Sequence, residues 1–121
     1  MSGTSAAVDA RGADIARRAV ELMLDAVPAY AASLDARGRQ LCEEDARLHV
    51  RALVGSFVAG DPRIFGDYAA WAAELLSRFG IGAAQLAALF DATRRAIAEL
   101  APSASAGMEP HLHAGERALA G

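Results

Sequence analysis

Apolar residues recur every three or four positions in four segments of the chain, and proline, glycine or a polar turn bounds each segment. The first segment begins at Asp14 and carries its stripe on Ile15, Ala19, Leu22, Met23 and Ala26. This spacing predicts a helix with one buried face. Pro28 lacks a backbone donor and ends that helix, and a shorter helical piece with Tyr30 and Leu34 precedes a polar turn at residues 35–40.

The next two helices are joined by a three-residue reversal. The segment CEEDARLHVRALVGSFVAG has an apolar face made of Ala46, Val50, Leu53, Val54 and Phe57. Gly60 can take the left-handed conformation that closes this helix, Asp61 can cap the next one, and Pro62 suits its first position. The third helix is predicted to bury Phe65, Tyr68, Ala69, Ala72, Leu75, Leu76 and Phe79. Gly80 ends it and places Ile81 where a Schellman motif packs on Leu76.

The fourth helix begins at about Gly82, and its periodicity predicts six inward positions: Leu86, Leu89, Phe90, Thr93, Ile97 and Leu100. No segment shows the alternation of a strand. We therefore expect an all-α fold, an antiparallel bundle of four main helices plus short flanking helices. Residues 1–12 are predicted to be a disordered tail, and residues 13–101 are predicted to form the bundle. Residues 102–121 are predicted to form a loop, from Pro102 to Pro110, followed by a short C-terminal helix with Leu112 and Leu119.

Composition supports closely packed helices and limits the classes of molecule that the chain is expected to bind. Hydrophobic residues make up 54% of the 121 residues, but aromatics only 6%, and alanine is the best helix former. All 12 basic residues are arginine, which indicates a GC-rich bacterial genome, and the net charge of −3 makes nucleic acid an improbable partner. A single cysteine, Cys42, fits a reducing cytoplasm. No signal peptide and no apolar run of roughly 18 residues is present, so we expect no membrane association.

Trp71 is the one tryptophan, and its position leaves two interpretations open. It lies at the border of the buried stripe of the third helix, where large aromatic side chains usually form the edge of a core. It also belongs to a second, displaced stripe: Ile64, Tyr68, Trp71 and Leu75. Two adjacent stripes make an apolar arc wide enough to contact a partner or ligand outside the bundle.

The polar residues give no catalytic constellation. Cys42 and His49 share a helix face, but two ligands are too few for a structural zinc site, and we expect His49 to be hydrogen bonded or partly exposed. His111 and His113 alternate near the C-terminus, where we expect both to be solvated. The chain has no phosphate loop, nucleophile elbow or zinc-helix motif, so it is predicted not to be an enzyme and to bind no metal.

A DNA-binding protein with a helix-turn-helix motif is the more specific competing hypothesis. LSRFGIGAAQLAALFDATRRAI resembles a first helix, a turn and a recognition helix that ends in arginines. The turn would fall near Phe90 to Ala92, yet the apolar phase continues through it from Leu86 to Ile97. The pattern therefore favours one continuous helix.

The run from Glu44 to Ile97 resembles the helical module found at the N-terminus of bacterial cobalamin-binding regulatory and photoreceptor-like proteins. The matching features are a histidine-containing helix, GDP followed by an aromatic, a Tyr-x-x-Trp pair, an R-x-G-I turn and an amphipathic closing helix. It also looks somewhat like RsbR-type sensor bundles. The resemblance implies a helical cap on a cofactor, with His49, Tyr68, Trp71 and Glu74 as the cofactor-facing residues.

The departures from that family pattern concern the cobalamin ligands. Near the C-terminus, Glu109 and His111 only approximate a D-x-H-x-x-G motif, because Gly115 comes one position late. Glu74 follows Trp71, but Leu75 stands where the family signature has a histidine. The resemblance therefore implies that this chain alone binds no cofactor and that cobalamin is held through an adjacent domain.

These observations predict a non-enzymatic helical regulatory or sensor module in bacterial signalling. Its partner is predicted to be a second copy or a cofactor-binding domain, contacted through Ile64, Tyr68, Trp71 and Leu75. Two alternatives remain open: a globin-like cofactor-binding sensor that uses His49, and a helix-turn-helix DNA-binding regulator.

Overall fold

Seven α-helices make up the computed structural model, which describes residues 2–120. They are α1 (Ser2–Ala10), α2 (Gly12–Ala26), α3 (Pro28–Ser33), α4 (Ala36–Ala59), α5 (Pro62–Ser77), α6 (Ala83–Leu100) and α7 (Ser105–Ala120), with a 3-10 turn at Pro102–Ala104. Residues 2–120 contain no strand, so the predicted all-α bundle is confirmed. The helix α6 runs without a break through Phe90 to Ala92, as the apolar periodicity predicts and a helix-turn-helix would not.

The reversal between α4 and α5 follows the predicted turn chemistry. Gly60 has φ 70°, the left-handed conformation that glycine adopts without strain. Its N–H donates to Phe57 O at 3.0 Å and the N–H of Asp61 donates to Ser56 O at 3.2 Å, which is a Schellman pattern. The Asp61 carboxylate then accepts the N–H of Arg63 at 3.0 Å and caps α5.

The turn after α5 is a second Schellman motif. Gly80 has φ 78°, and the N–H of Ile81 donates to Leu76 O at 3.1 Å. Phe79 was expected on the buried face of this helix, and that prediction is wrong: α5 ends at Ser77, and Phe79 is 74% exposed. The chain leaves the helical path before Gly80, which turns the Phe79 side chain away from the core.

Three helix packings enclose the core. Helix α2 packs on α6 and on α4, and α5 packs mainly on α7. Helices α4 and α5 run antiparallel, because Ser56 lies near Phe65 and His49 lies near Tyr68. The largest fully buried apolar side chains come from α2, α4, α5, α6 and α7: Ile15, Leu53, Phe65, Phe90, Ile97, Met108 and Leu112.

Two N-terminal predictions are wrong. The expected disordered tail is helical over Ser2–Ala10, and Val8 is fully buried where α1 packs on α4; Met1 lies outside the described residues. The polar turn expected at residues 35–40 is the first part of α4. Asp35 caps that helix by accepting the N–H of Gly38 at 2.7 Å, so its polar residues stabilise a helix start.

The C-terminal loop prediction is also wrong, because α7 begins at Ser105 and continues through Pro110. Met108 is fully buried. The Arg94 guanidinium on α6 donates to Glu109 at 2.8 Å and to Glu116 at 2.6 Å. These contacts hold α7 along α6, and α7 is a full member of the bundle.

Candidate functional site

The second stripe of α5 lies on the outer side of the bundle. Trp71 is 59% exposed and Ile64 is 43% exposed, while Tyr68 and Leu75 are half-buried. The ring centroids of Tyr68 and Trp71 are 5.9 Å apart. We call these four residues the Trp71 surface. Their exposure agrees with the displaced stripe, whereas the predicted docking role stays a prediction.

Of the four predicted cofactor-facing residues, Tyr68 contacts both His49 and Trp71, but the four do not line one accessible site. Glu74 is exposed and lies 3.7 Å from the Arg78 guanidinium, whereas His49 is only 1% exposed. Both ring nitrogens of His49 are engaged, Nδ1 with the Tyr68 hydroxyl at 2.5 Å and Nε2 with the Asp45 carboxylate at 3.1 Å. This placement does not support His49 as a haem or cobalamin ligand, because neither nitrogen is free.

The chain of Tyr68, His49 and Asp45 is fixed by helix geometry. Asp45 and His49 are one turn apart on α4, and Tyr68 approaches from α5. All three groups are satisfied when the Tyr68 hydroxyl donates to Nδ1 and the Nε2–H of His49 donates to Asp45. Burial raises the pKa of Tyr68 above its ordinary value, which favours the protonated hydroxyl as the donor in this hydrogen bond.

Asp45 also lines a pocket at one end of the bundle, with a volume of about 380 Å³. The pocket lies between the end of α2, α3, the first half of α4, the end of α5 and the start of α6. Most of its wall is apolar and comes from seven side chains: Met23, Leu34, Leu41, Leu76, Ile81, Leu86 and Leu89. Ligand sites in proteins have this character, concave and mainly apolar, and start at about 300 Å³.

Four polar side chains converge on the pocket: Tyr30, Cys42, Asp45 and Gln85. The Tyr30 hydroxyl lies 3.7 Å from Cys42 Sγ, and Gln85 Oε1 accepts the N–H of Gly82 at 2.6 Å. Burial, with a smaller contribution from Cys42, raises the pKa of Tyr30 to about 12. Among the described residues that line the pocket, Asp45 is the one carboxylate, and none has a basic side chain.

The sequence did not predict this pocket. Its individual signals were present, since Pro28 separates a short amphipathic piece and Cys42, Asp45 and His49 recur on one face of α4. The pocket depends on the distance between helices, which periodicity does not specify. Helix α3 buries none of its six residues, and Gly38 contributes no side chain to the wall.

A second buried histidine lies at the opposite end of α4, and here the sequence prediction is wrong. His111 was expected to be solvated but is 5% exposed, and its Nδ1 lies 2.6 Å from Ser56 Oγ; His113 is exposed as expected. Ser56 donates to Asp61 O at 2.9 Å and accepts the N–H of Phe65 at 3.2 Å, so His111 donates to it. This network joins α4, α5 and α7.

Gly115 allows close helix packing in the same region. A Cβ placed on Gly115 would lie 2.6 Å from Phe65 Cε2, so only a residue without a side chain lets α7 pack against that ring. We call Ser56, Phe65, His111 and Gly115 the closed end, and the pocket end the open end. Both polar side chains of the closed end are buried, since Ser56 is fully buried and His111 is 5% exposed.

Neither a metal site nor a membrane span emerges from residues 2–120. Within that range no three side chains of histidine, cysteine, aspartate or glutamate lie together as a metal would require. None of the described helices is both long and apolar enough to cross a membrane.

Comparison with known proteins gives no family. No protein-family model matches the chain, and neither a curated protein nor a solved structure matches it. The resemblance to cobalamin-associated modules therefore stays a prediction. Any function has to be argued from the pocket and the Trp71 surface.

Proposed function

We propose that this chain is a helical sensor module that binds a small, largely apolar molecule at the open end. The pocket carries this proposal: about 380 Å³ of space with an apolar wall and a few convergent polar groups. Apolar ligands gain roughly 25 cal/mol for each Å² of surface they bury. A pocket of this kind therefore favours binding without any catalytic group.

The close packing of the closed end indicates that the pocket at the open end is not a simple packing defect. Protein interiors are close-packed, with few voids larger than a water molecule. Gly115 lets helix backbone approach Phe65 at one end, whereas Tyr30 and Gln85 line a large space at the other. Polar groups on the pocket wall also give a bound molecule a defined orientation.

Ligand binding would be transmitted through the same residues that form the wall. A ligand that contacts both Tyr30 and Leu86 adds contacts between α3 and α6 and favours the conformation in which they are held together. Asp45 connects the pocket to Tyr68 through His49, and Tyr68 packs against Trp71. These contacts supply a continuous path from the pocket to an exposed surface.

A second candidate function is docking through the Trp71 surface. The specific observation is an exposed tryptophan beside an exposed isoleucine, Ile64, on one helix face. Aromatic residues are enriched at interfaces, where they anchor binding. We propose a second copy of this chain as the partner, with a cofactor-binding domain as the alternative; cobalamin would then be held by that domain and not by this chain alone.

The proposed module is non-enzymatic and acts in cytoplasmic bacterial signalling. The buried polar side chains that resemble catalytic groups, His49, Ser56 and His111, are hydrogen bonded to one another or to neighbouring helices and hold the bundle together. The arginine-only basic residues and the single cysteine support the bacterial and cytoplasmic parts of the proposal.

Calorimetric titration with hexan-1-ol tests the pocket. We expect saturable binding to the natural chain, and loss of binding in Cys42→Phe, whose ring would fill the pocket. Val58→Phe is the matched control, because Val58 lies on the same helix, is 70% exposed and does not line the pocket. Binding that survives Cys42→Phe, or no binding to the natural chain, would contradict the proposal.

Sedimentation at several concentrations tests the docking candidate. Trp71→Ala should remove self-association while changing the free energy of unfolding by less than about 1 kcal/mol, since the ring is mostly exposed. Phe79→Ala is the control, because Phe79 is exposed outside the Trp71 surface. A natural chain that stays monomeric would exclude a second copy as the partner.

A further inference from the structure

We infer that the pocket takes a small apolar cation, an alkyl or aryl amine whose protonated nitrogen pairs with Asp45; this inference rests on the proposed function. The apolar part of such a ligand would contact the leucine-rich wall. The charged nitrogen would lie beside the one carboxylate on that wall.

Charge complementarity carries the inference. Asp45 is the single charged group among the described residues of the wall, and no arginine or histidine lines the pocket beside it. Opposite charges attract more strongly next to an apolar wall than in bulk water, because the effective dielectric constant is lower. A carboxylate ligand would meet repulsion there without a compensating cation.

The Asp45 side chain is held in place for this role. Its Oδ2 accepts a hydrogen bond from His49 Nε2 at 3.1 Å, and the His49 ring is held by Tyr68 on one side and contacts Phe90, with ring centroids 5.6 Å apart. A fixed carboxylate loses less conformational freedom when it binds a partner. At 37% exposure, the Asp45 side chain still has accessible surface.

The remaining polar atoms of the pocket also favour a donor. The Tyr30 oxygen and Cys42 Sγ can both accept hydrogen bonds, and an ammonium group has three to donate. Gln85 Oε1 accepts the N–H of Gly82 and keeps a second lone pair. Asp45, Tyr30 and Gln85 are therefore the three side-chain oxygen acceptors that an amine can use.

Three probes of equal chain length test the inference by calorimetry: hexylamine, hexan-1-ol and hexanoate at pH 7 and low salt. At this pH an alkylamine is protonated. We expect hexylamine to bind about tenfold more tightly than hexan-1-ol, and hexanoate to bind least. The preference for hexylamine should shrink as salt is added, because salt screens the ion pair.

The matched variants are Asp45→Asn and Glu44→Gln. Asparagine keeps an oxygen that accepts from His49, so Asp45→Asn removes the charge and preserves the hydrogen bond. It should bind hexylamine and hexan-1-ol with equal affinity. Glu44→Gln removes the same charge from a neighbouring residue that does not line the pocket, and it should keep the natural preference.

The outcomes separate the two proposals. If hexan-1-ol binds and hexylamine shows no preference, or if Asp45→Asn keeps the preference, the inference about the amine is wrong while the pocket remains a binding site. If none of the three probes binds, the proposed sensor function itself is wrong.

Discussion

The helices are closely packed at one end of this bundle and enclose a pocket at the other. At the closed end, a glycine lets α7 approach Phe65 so closely that a Cβ on Gly115 would lie 2.6 Å from the ring. At the open end, Tyr30 on α3 and Leu86 on α6 face a space of about 380 Å³. The difference indicates that one end stabilises the fold and the other is available to a ligand.

The two buried histidines show the same division. His111 bonds to Ser56, whose other partners are backbone groups of the α4–α5 turn and of α5, so its network is entirely internal. His49 bonds to Tyr68 and to Asp45, and these two lead to the Trp71 surface and to the pocket. The buried His111 thus stabilises helix packing at the closed end, whereas the buried His49 positions the Asp45 carboxylate at the open end.

The largest expected effect is the loss of the Phe65 ring from the closed end. Phe65 is 1% exposed, so Phe65→Ala should lower the free energy of unfolding by about 3–5 kcal/mol through the cavity it leaves. Phe79→Ala, at a position 74% exposed, should change it by less than about 0.5 kcal/mol. Urea unfolding measures both, and equal effects would contradict the assignment of the two rings.

Glycine substitutions test the close approach of α7 directly. Gly115→Ala forces a methyl group against Phe65 and should cost about 1–3 kcal/mol. Gly55 is also inside a helix, but a Cβ there meets no atom within 4 Å, so Gly55→Ala should stabilise by about 0.5–1 kcal/mol. Thermal unfolding of the two variants should move in opposite directions; a stable Gly115→Ala would show that the closed end has room.

The open end should tolerate the loss of a wall residue better than the core does. Leu76 is half-buried and lines the pocket, so Leu76→Ala should cost about 1–2 kcal/mol. Leu53 is fully buried, and Leu53→Ala should cost about 2–5 kcal/mol. If urea midpoints show Leu76→Ala to be the more damaging change, the open end is part of the core.

The smallest expected effect is a pH dependence that arises at the closed end. Burial lowers the pKa of His111, so the unfolded chain takes up a proton first as the pH falls below about 6.5, and folding loses stability there. His111→Asn should flatten the decline in unfolding free energy between pH 7.5 and pH 5.5. His113→Asn, at an exposed position on the same helix, should keep it. An unchanged decline in His111→Asn would assign the effect to another group.

Local chemistry made much of the fold predictable. Gly60, Asp61 and Pro62 specify their turn through their own backbone preferences, and Gly80 specifies the next one. Val8 could not be placed in the same way, because its short helix is stabilised by contacts with α4 that lie far along the chain. The same limit applies to residues 102–110, where the small residues between Pro102 and Pro110 predicted a loop.

The candidate sites were predicted only in part. The Trp71 surface follows from periodicity, since Ile64 and Trp71 lie seven residues apart on one helix. The pocket and the burial of His111 depend on how α3 and α7 pack against helices distant in sequence, and no local pattern encodes that. Asp45, the acid on the pocket wall, directly follows Glu43 and Glu44, and the sequence alone does not distinguish it from these two acids.

Backbone amide shifts during titration with hexan-1-ol test the difference between the two ends most directly. We expect saturable shifts confined to the open end, centred on Tyr30, Cys42 and Leu86, with the amides of Ser56 and Gly115 unchanged. Cys42→Phe should abolish the shifts. Shifts centred on Gly115, or spread evenly over both ends, would contradict the assignment of the open end as the ligand site.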